Sequence, residues 1–211
     1  MRIRLLGQAG VQIDLQSGLR VVLDPYLSDS LRECKGERFA RMIPLPENIE
    51  ALCPDVLAIT HDHGDHLDMQ SLEHWLNGDH KLQILGTYPV YKQISSRWQA
   101  KHNVMVMRPG VEVTLGNARF CAVPASHKIE DAVGYLLRVE GRTLYFSGDT
   151  LYCRQIPEFL KKEHIDIAFV CINGFGNNMN AWDAARLTQE LRPGLVVPVH
   201  WDMFAPFGAD P

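Results

Sequence analysis

The strongest constraint in this chain is an apolar run that ends, without a spacer, on a cluster of histidines and aspartates. Val56-Leu57-Ala58-Ile59 is short and rich in β-branched residues, and reads as a buried strand. It passes directly into Thr60-His61-Asp62-His63-Gly64-Asp65-His66-Leu67-Asp68. His61 and His63 are two apart, so in an extended or turning segment their rings project to the same side. Gly64 favours a turn that carries Asp65 and His66. The spacing then predicts a helix from Asp68 to Leu76, with Asp68 as its N-cap. Neutral imidazole and carboxylate are the donors that divalent transition metals prefer. Ordering four such groups within six residues costs entropy and crowds like charges, and a cation among them removes both problems. Incidental histidines on a polar loop are the bland alternative, and three of them beside an aspartate argue against it.

The rest of the chain supplies a sheet-rich frame. Arg2 to Leu6, Val11 to Leu15 and Leu19 to Leu23 read as strands, with Ser17-Gly18 as a hairpin turn. Ser28 to Pro46, which carries Arg32, Arg38 and Arg41, reads as an irregular surface loop or lid. After the histidine cluster and its helix come a strand (Leu82 to Leu85), a helix (Pro89 to Lys101) and two strands (Val104 to Met107, Val111 to Leu115). The order then begins again. Arg119 to Val123, Val133 to Val139 and Thr143 to Phe146 are expected strands, with a hairpin turn at Glu140-Gly141. A helix (Ile156 to Glu163), a strand (Ile165 to Cys171), a helix (Ala181 to Leu191, capped by Asn180) and a strand (Leu195 to Val199) follow. No linker-like segment separates the halves, so one domain over residues 1–211, built of two packed sheets flanked by helices, is expected.

Composition narrows the function classes. The chain has 211 residues, of which 46% are hydrophobic and 22% charged, enough apolar material for a full core. A net charge of -4 without a long basic run argues against a dedicated nucleic-acid binder. The five cysteines are scattered, odd in number and form no Cys-x-x-Cys, which suits a reducing compartment. With no signal peptide and no apolar stretch long enough to span a bilayer, a cytoplasmic protein without a membrane partner is expected.

Further candidate ligands each follow an expected strand: His127 after Phe120 to Ser126, Asp149 after Leu144 to Gly148, and His200 after Leu195 to Val199. Strand ends on one sheet edge converge in space. Alone, His127 or His200 is more often a hydrogen-bonded structural histidine, and Asp149 a turn residue. Beside the first cluster the balance reverses. Asp24, Asp131 and Asp202 sit next to these loops and are candidates to accept the second N–H of a ligating histidine. Arg41, or Arg38 in the same loop, is a candidate for holding a substrate phosphate, a solvated loop arginine being the commoner case. Asn177 and Asn178, in the loop Asn173 to Asn178, are candidates for contacting substrate. Cys34 and Cys153 have no base or partner that suggests a nucleophile.

Taken together, His61-x-His63-x-Asp65-His66 followed by His127, Asp149 and His200 resembles the metallo-β-lactamase superfamily over nearly the whole chain. Several stretches resemble, more narrowly, the L-ascorbate-6-phosphate lactonase family and its metal-dependent hydrolase relatives. They are Leu23-Asp24-Pro25-Tyr26, Thr60 to His63, Glu130 to Tyr135, Ser147 to Thr150, and Val197 to Asp202 through Ala209-Asp210-Pro211. The resemblance implies a four-layer αββα sandwich. It implies that His61, His63 and His127 bind a first metal, that Asp65, His66 and His200 bind a second, and that Asp149 bridges the two, with Asp65 and Asp149 counted as catalytic. Relatives of that kind continue beyond the position of His200, so the chain is read either as a short family member or as one lacking C-terminal elements.

Two cations sharing a water lower its pKa by many units and give a nucleophile near neutral pH. Zinc and manganese both fit the mixed nitrogen and oxygen donors, and the lactonase resemblance leans towards manganese. The expected activity is therefore opening of a lactone on a sugar or sugar phosphate, a small-molecule substrate. The rival readings are a phosphodiesterase acting on a small cyclic or lipid phosphodiester, a glyoxalase-type thioesterase, and a non-catalytic metal-stabilised sensor. Assembly as a homo-oligomer is left open.

Overall fold

The computed structural model describes residues 1–128 and 131–208. Two of the stretches quoted for the resemblance therefore fall partly outside the described residues, at Glu130 and at Ala209 to Pro211. The chain divides into two compact units. One comprises Met1–Val106 with Asp202–Pro206, the other Met107–Trp201 with Phe207–Pro211.

The first unit is built on a six-stranded sheet in simple sequence order: β1 (Arg2–Gly7), β2 (Gly10–Asp14), β3 (Arg20–Leu23), β4 (Val56–Ala58), β5 (Gln83–Gly86) and β6 (Asn103–Val106). β1 to β3 form an antiparallel meander, and β3 to β6 run parallel. Parallel neighbours need crossovers. The segment with α1 (Ser30–Lys35) joins β3 to β4, α2 (Met69–Leu76) joins β4 to β5, and α3 (Tyr88–Trp98) joins β5 to β6. α2 and α3 lay Leu72, Trp75, Leu76, Val90, Ile94 and Trp98 against Val22, Leu57 and Ile84 of the sheet. A fully buried side chain of this size stabilises the fold by about 1.5–3 kcal/mol.

The second unit repeats the plan. Its sheet contains β7 (Glu112–Leu115), β8 (Ala118–Pro124), β9 (Val133–Val139), β10 (Arg142–Phe146), β11 (Ile167–Cys171) and β12 (Leu195–Val199), in the order β12-β11-β10-β9-β8-β7. β7 to β10 are antiparallel, while β10, β11 and β12 are parallel. The crossovers are α4 (Gln155–Leu160) and α5 (Ala181–Leu191), whose Ile156, Leu160, Ala184 and Leu187 cover Val123, Leu136, Tyr145 and Val170. Asn180 caps α5 by accepting the Asp183 backbone N–H at 2.9 Å. Pro198 lies on β12, an edge strand, where a missing N–H is tolerated. Gly134 on β9 is required by space. A Cβ there would meet the Phe146 carbonyl oxygen at 2.7 Å and that of Ser147 at 3.1 Å.

One expected element differs. Ser28 to Pro46 is not an irregular lid but carries the short helix α1 and a 3-10 turn at Glu37–Phe39. Leu31 is the buried residue of that helix, so the sequence carries almost no periodic apolar signal for it. The segment is also strapped down. Arg41 pairs with Phe204, the Met42 N–H donates to the Met203 carbonyl, and Tyr26 and Phe39 pack edge-on against Phe204. All five cysteines are free. Among the described residues no helix is long and apolar enough to cross a membrane.

Candidate functional site

In the first unit the candidate ligands follow from the parallel pairing of β3 and β4. Asp24 ends one strand and Thr60 follows the other, so the two meet at the same sheet edge. The Asp24 carboxylate accepts the Thr60 backbone N–H at 2.8 Å and the Thr60 hydroxyl at 2.7 Å. Its Oδ2 also lies 2.9 Å from His66 Nδ1. Because Asp24 accepts only, His66 Nδ1 carries the proton and His66 Nε2 keeps the lone pair. The Thr60 hydroxyl donates its hydrogen bond to Asp24, so at 3.0 Å its oxygen accepts from His61 Nδ1–H. That leaves His61 Nε2 as a lone-pair nitrogen, and it faces His63 Nδ1 at 3.0 Å. His66 Nε2 stands 3.8 Å from Asp65 Oδ2, which receives the Gln8 amide at 2.6 Å. His61 and His66 are fully buried.

In the second unit β8, β10, β11 and β12 end at one edge, and the loops that follow them are cross-linked. The Ser126 N–H donates to Thr150 Oγ1, the Leu151 N–H to the Ser126 carbonyl, and the Met179 N–H to the Thr150 carbonyl. His127 Nδ1 lies 3.3 Å from the Asn177 carbonyl oxygen, an acceptor, which again leaves Nε2 with the lone pair. That Nε2 is 3.9 Å from Asp149 Oδ2, while His200 Nε2 is 3.2 Å from Asp149 Oδ1. Asn178 donates its amide to Asp149 Oδ2 at 2.9 Å and to Asn173 Oδ1 at 3.1 Å. The surroundings are buried. Burial first, then the nearby Asp149 carboxylate, pushes the Cys171 thiol up to about 11, so Cys171 is an inert core residue.

Residues 19–201 match the family profile described as a beta-lactamase superfamily domain. The chain belongs to that family. It is 25% identical over 219 residues to a UPF0173 metal-dependent hydrolase of Pyrococcus abyssi, covering 100% of this chain and 89% of that protein. Among solved structures it resembles a possible metal-dependent hydrolase of Veillonella parvula at a TM-score of 0.80 with 17% identity, covering 97% of this chain and 87% of that one. It also resembles Igni18, a metallo hydrolase of Ignicoccus hospitalis, at a TM-score of 0.77 with 21% identity, covering 99% and 85%. The fold is thus the metallo-β-lactamase fold, an α/β architecture with two mixed sheets consistent with the αββα sandwich.

Within this superfamily fold, several residues do something other than the sequence suggests. Arg41 uses Nε on the Ile43 carbonyl (3.1 Å) and Nη1 on the carbonyls of Tyr26 (2.8 Å) and Ser28 (3.1 Å), with its guanidinium over the Tyr26 ring at 4.9 Å. Burial lowers its pKa. The residue therefore holds the segment after β3 rather than offering an open fork to a phosphate. Asn178 holds Asp149, and Asn177 turns its backbone carbonyl to His127, so both orient candidate ligands. Asp131 is half-buried at the turn before β9 and, among the described residues, makes no hydrogen bond to a histidine. Asp202 lies half-buried in the bend after Trp201. Asp68 stands at the N-cap position of α2 without capping it. Its carboxylate instead accepts from the backbone of Leu27 and Ser28 and from the hydroxyls of Ser28, Ser30 and Ser71. Gln8, Asn173 and this role of Asp68 have no signal in the sequence, because each rests on contacts between distant positions.

Proposed function

We propose that the protein is a metal-dependent hydrolase that opens a lactone or a closely related acyl bond. In this reading His61, His63, His127 and Asp149 would hold one divalent ion, and Asp65, His66 and His200 would hold a second. The single observation that carries it is the tautomer pattern. His61, His66 and His127 each have Nδ1 held by an acceptor, which leaves each Nε2 with its lone pair, those of His66 and His127 near the carboxylates of Asp65 and Asp149 and that of His61 near His63 Nδ1. Lone pairs turned towards carboxylate oxygens repel, and a cation reverses the sign of that interaction. Family membership and the metal-dependent relatives support the same reading. Zinc and manganese both suit the donors.

Bound ions would supply Lewis acidity, acidifying a water by several pKa units and polarising a carbonyl. The chain does the rest. Asp24 and Thr60 keep the protons of His66 and His61 on Nδ1. Asn178 and Gln8 fix the oxygens of Asp149 and Asp65. The burial of Asp149, His61, His66 and His200 keeps bulk water from screening the charges. The lactone comes from the lactonase-like stretches of sequence. A phosphate handle is left out of the reading, since Arg41 is engaged with main-chain carbonyls.

Metal content and turnover test this together. The parent, His63→Ala and Asp149→Ala are loaded with manganese or zinc, assayed for bound metal, and offered lactones, esters, thioesters and bis-p-nitrophenyl phosphate. Both variants should lose metal and lactone turnover in parallel. Full activity in a metal-depleted variant would overturn the mechanism. Cleavage of the phosphodiester alone would replace it with the phosphodiesterase reading. A loaded protein inert on all four substrates would leave a sensor.

A further inference from the structure

A cleft of about 460 Å³ lies in the second unit, walled by α4 on one side, by Arg186 and Glu190 of α5 on the other, and by Tyr152 and Arg154 from the segment leading into α4. That volume falls within the roughly 300–1,000 Å³ typical of small-molecule sites. None of the candidate metal ligands lines it. Its ion pairs leave a definite remainder. Lys161 meets Glu158 Oε2 at 3.0 Å, and Arg138 of β9 meets Glu163 Oε1 at 2.6 Å. Glu190 Oε1 receives the Tyr152 hydroxyl at 2.6 Å and lies 3.6 Å from Arg186 Nε, whose guanidinium stands over the Tyr152 ring at 4.0 Å. The Arg154 side chain, at the N-cap position of α4, makes no hydrogen bond or ion pair among the described residues. Glu158 Oε1 and Glu190 Oε2 are likewise without a donor among the described residues.

The cleft thus presents one uncompensated cation and two spare carboxylate oxygens. A matching occupant carries one negative charge for the planar guanidinium of Arg154 and hydroxyl donors for the two oxygens. We propose that the cleft between α4 and α5 binds a hydroxy acid, its carboxylate on Arg154 and its hydroxyls on Glu158 and Glu190. An amino acid would offer an ammonium group to the glutamates, but with no net charge it leaves the excess of Arg154 unbalanced. A phosphate dianion would set a second negative charge against three carboxylates. Adding water across the ester bond of a lactone leaves one carboxylate and one new hydroxyl, so the proposal rests on the hydrolase reading above for the origin of its ligand. Tyr152 follows Asp149 by three residues, and an occupant of the cleft therefore touches the chain that leaves the candidate centre.

Calorimetry and amide chemical shifts on the zinc-loaded full chain read this without turnover, with gluconate, acetate, glycine and inorganic phosphate as probes. Gluconate should bind roughly tenfold more tightly than acetate, through its added hydroxyl contacts, and should shift the amides of Arg154, Glu158 and Glu190. Arg154→Gln should weaken gluconate by roughly tenfold or more, Arg154→Lys should restore part of it, and metal content should stay unchanged in both. Gluconate affinity that survives Arg154→Gln, or shifts confined to the loops of His63 and Asp149, would overturn the proposal. Glycine or phosphate binding as tightly as gluconate would overturn the ligand class. Gluconate held in the cleft of a protein that opens no lactone would count against the hydrolase reading and support the cleft. Lactone turnover with no gluconate bound there would do the reverse.

Discussion

Replacing Asp24 with asparagine should weaken metal binding by roughly 10–100-fold while leaving the fold intact. Asp24 is 2% exposed and accepts with both oxygens: Oδ1 takes the Thr60 N–H, and Oδ2 takes the Thr60 hydroxyl and His66 Nδ1–H. An amide has the same shape but one acceptor. With its nitrogen towards Thr60 it opposes a backbone N–H, which cannot change its role. With its nitrogen towards His66 it opposes an imidazole N–H, which can move its proton to Nε2. The second arrangement therefore wins, and it removes the lone pair that His66 needs to ligate. The loss is that of one charge-assisted hydrogen bond, about 1.5–3 kcal/mol, which at 1.4 kcal/mol per decade gives the stated range. Competition with a chromophoric chelator measures the affinity, and long-range nitrogen-proton correlation spectra of the metal-free protein read the His66 tautomer. An Asp24→Asn protein that binds zinc within twofold of the parent, or that keeps the His66 proton on Nδ1, would refute the tautomer argument.

Two further outcomes test the frame rather than the site. Gly134→Ala should lower stability by about 1–3 kcal/mol, because the atoms its Cβ meets are backbone carbonyls that cannot rotate away; a urea midpoint equal to the parent's would show the strands parting easily. His102 is buried in the first unit, accepting the Leu82 N–H on Nδ1 at 3.2 Å and donating from Nε2 to the Leu76 carbonyl at 2.9 Å, and burial holds it below its ordinary pKa of about 6.5. Above that pH both folded and unfolded chains carry it neutral and it contributes no slope. As pH falls below about 6.5 the unfolded chain gains a proton that the folded chain refuses, so stability declines by up to about 1.4 kcal/mol per pH unit until the folded value is reached. Urea midpoints at pH 7.5, 6.5 and 5.5 should show this component in the parent and not in His102→Gln; identical slopes would assign it elsewhere.

How legible the molecule is from its sequence depends on how far apart the cooperating residues lie. The strand ending at Ala58 and the His61 to His66 loop could be read together because apolar run, turn glycine and ligands are contiguous. The same holds for Ser147-Gly148-Asp149 after β10 and for Asn180 before α5. The Gln8 amide on Asp65 spans 57 residues, and the Asp68 carboxylate reaches back 40 residues to Ser28, so neither has a local pattern to betray it. Arg41 misleads for the same reason. A loop arginine looks solvated in the sequence, and only the folded chain brings the Tyr26 and Ser28 carbonyls to its guanidinium.

Backbone strain is the other property hidden from the sequence, and it has a geometric purpose. Among the described residues six non-glycine positions have positive φ, and four of them are Gln8, Asp24, Asn177 and His200. Gln8 holds Asp65, Asp24 holds His66, the Asn177 carbonyl holds His127, and His200 is itself a candidate ligand. A chain leaving a strand in extended conformation throws successive side chains to opposite faces of the sheet, into the packed layers. A left-handed residue at that point breaks the alternation and aims a side chain or carbonyl along the sheet edge instead. The conformation costs on the order of 1–3 kcal/mol at each position and persists only where surrounding contacts over-determine it. Asp24 meets that condition through three hydrogen bonds, and Asn177 through a loop closed at its base by Asn173 and Asn180. At these four positions the strained residue thus helps turn a chain segment into a donor or its support, Gln8 doing so from the β1–β2 hairpin; of the other two, Glu140 serves the β9–β10 hairpin turn and Arg192 ends α5.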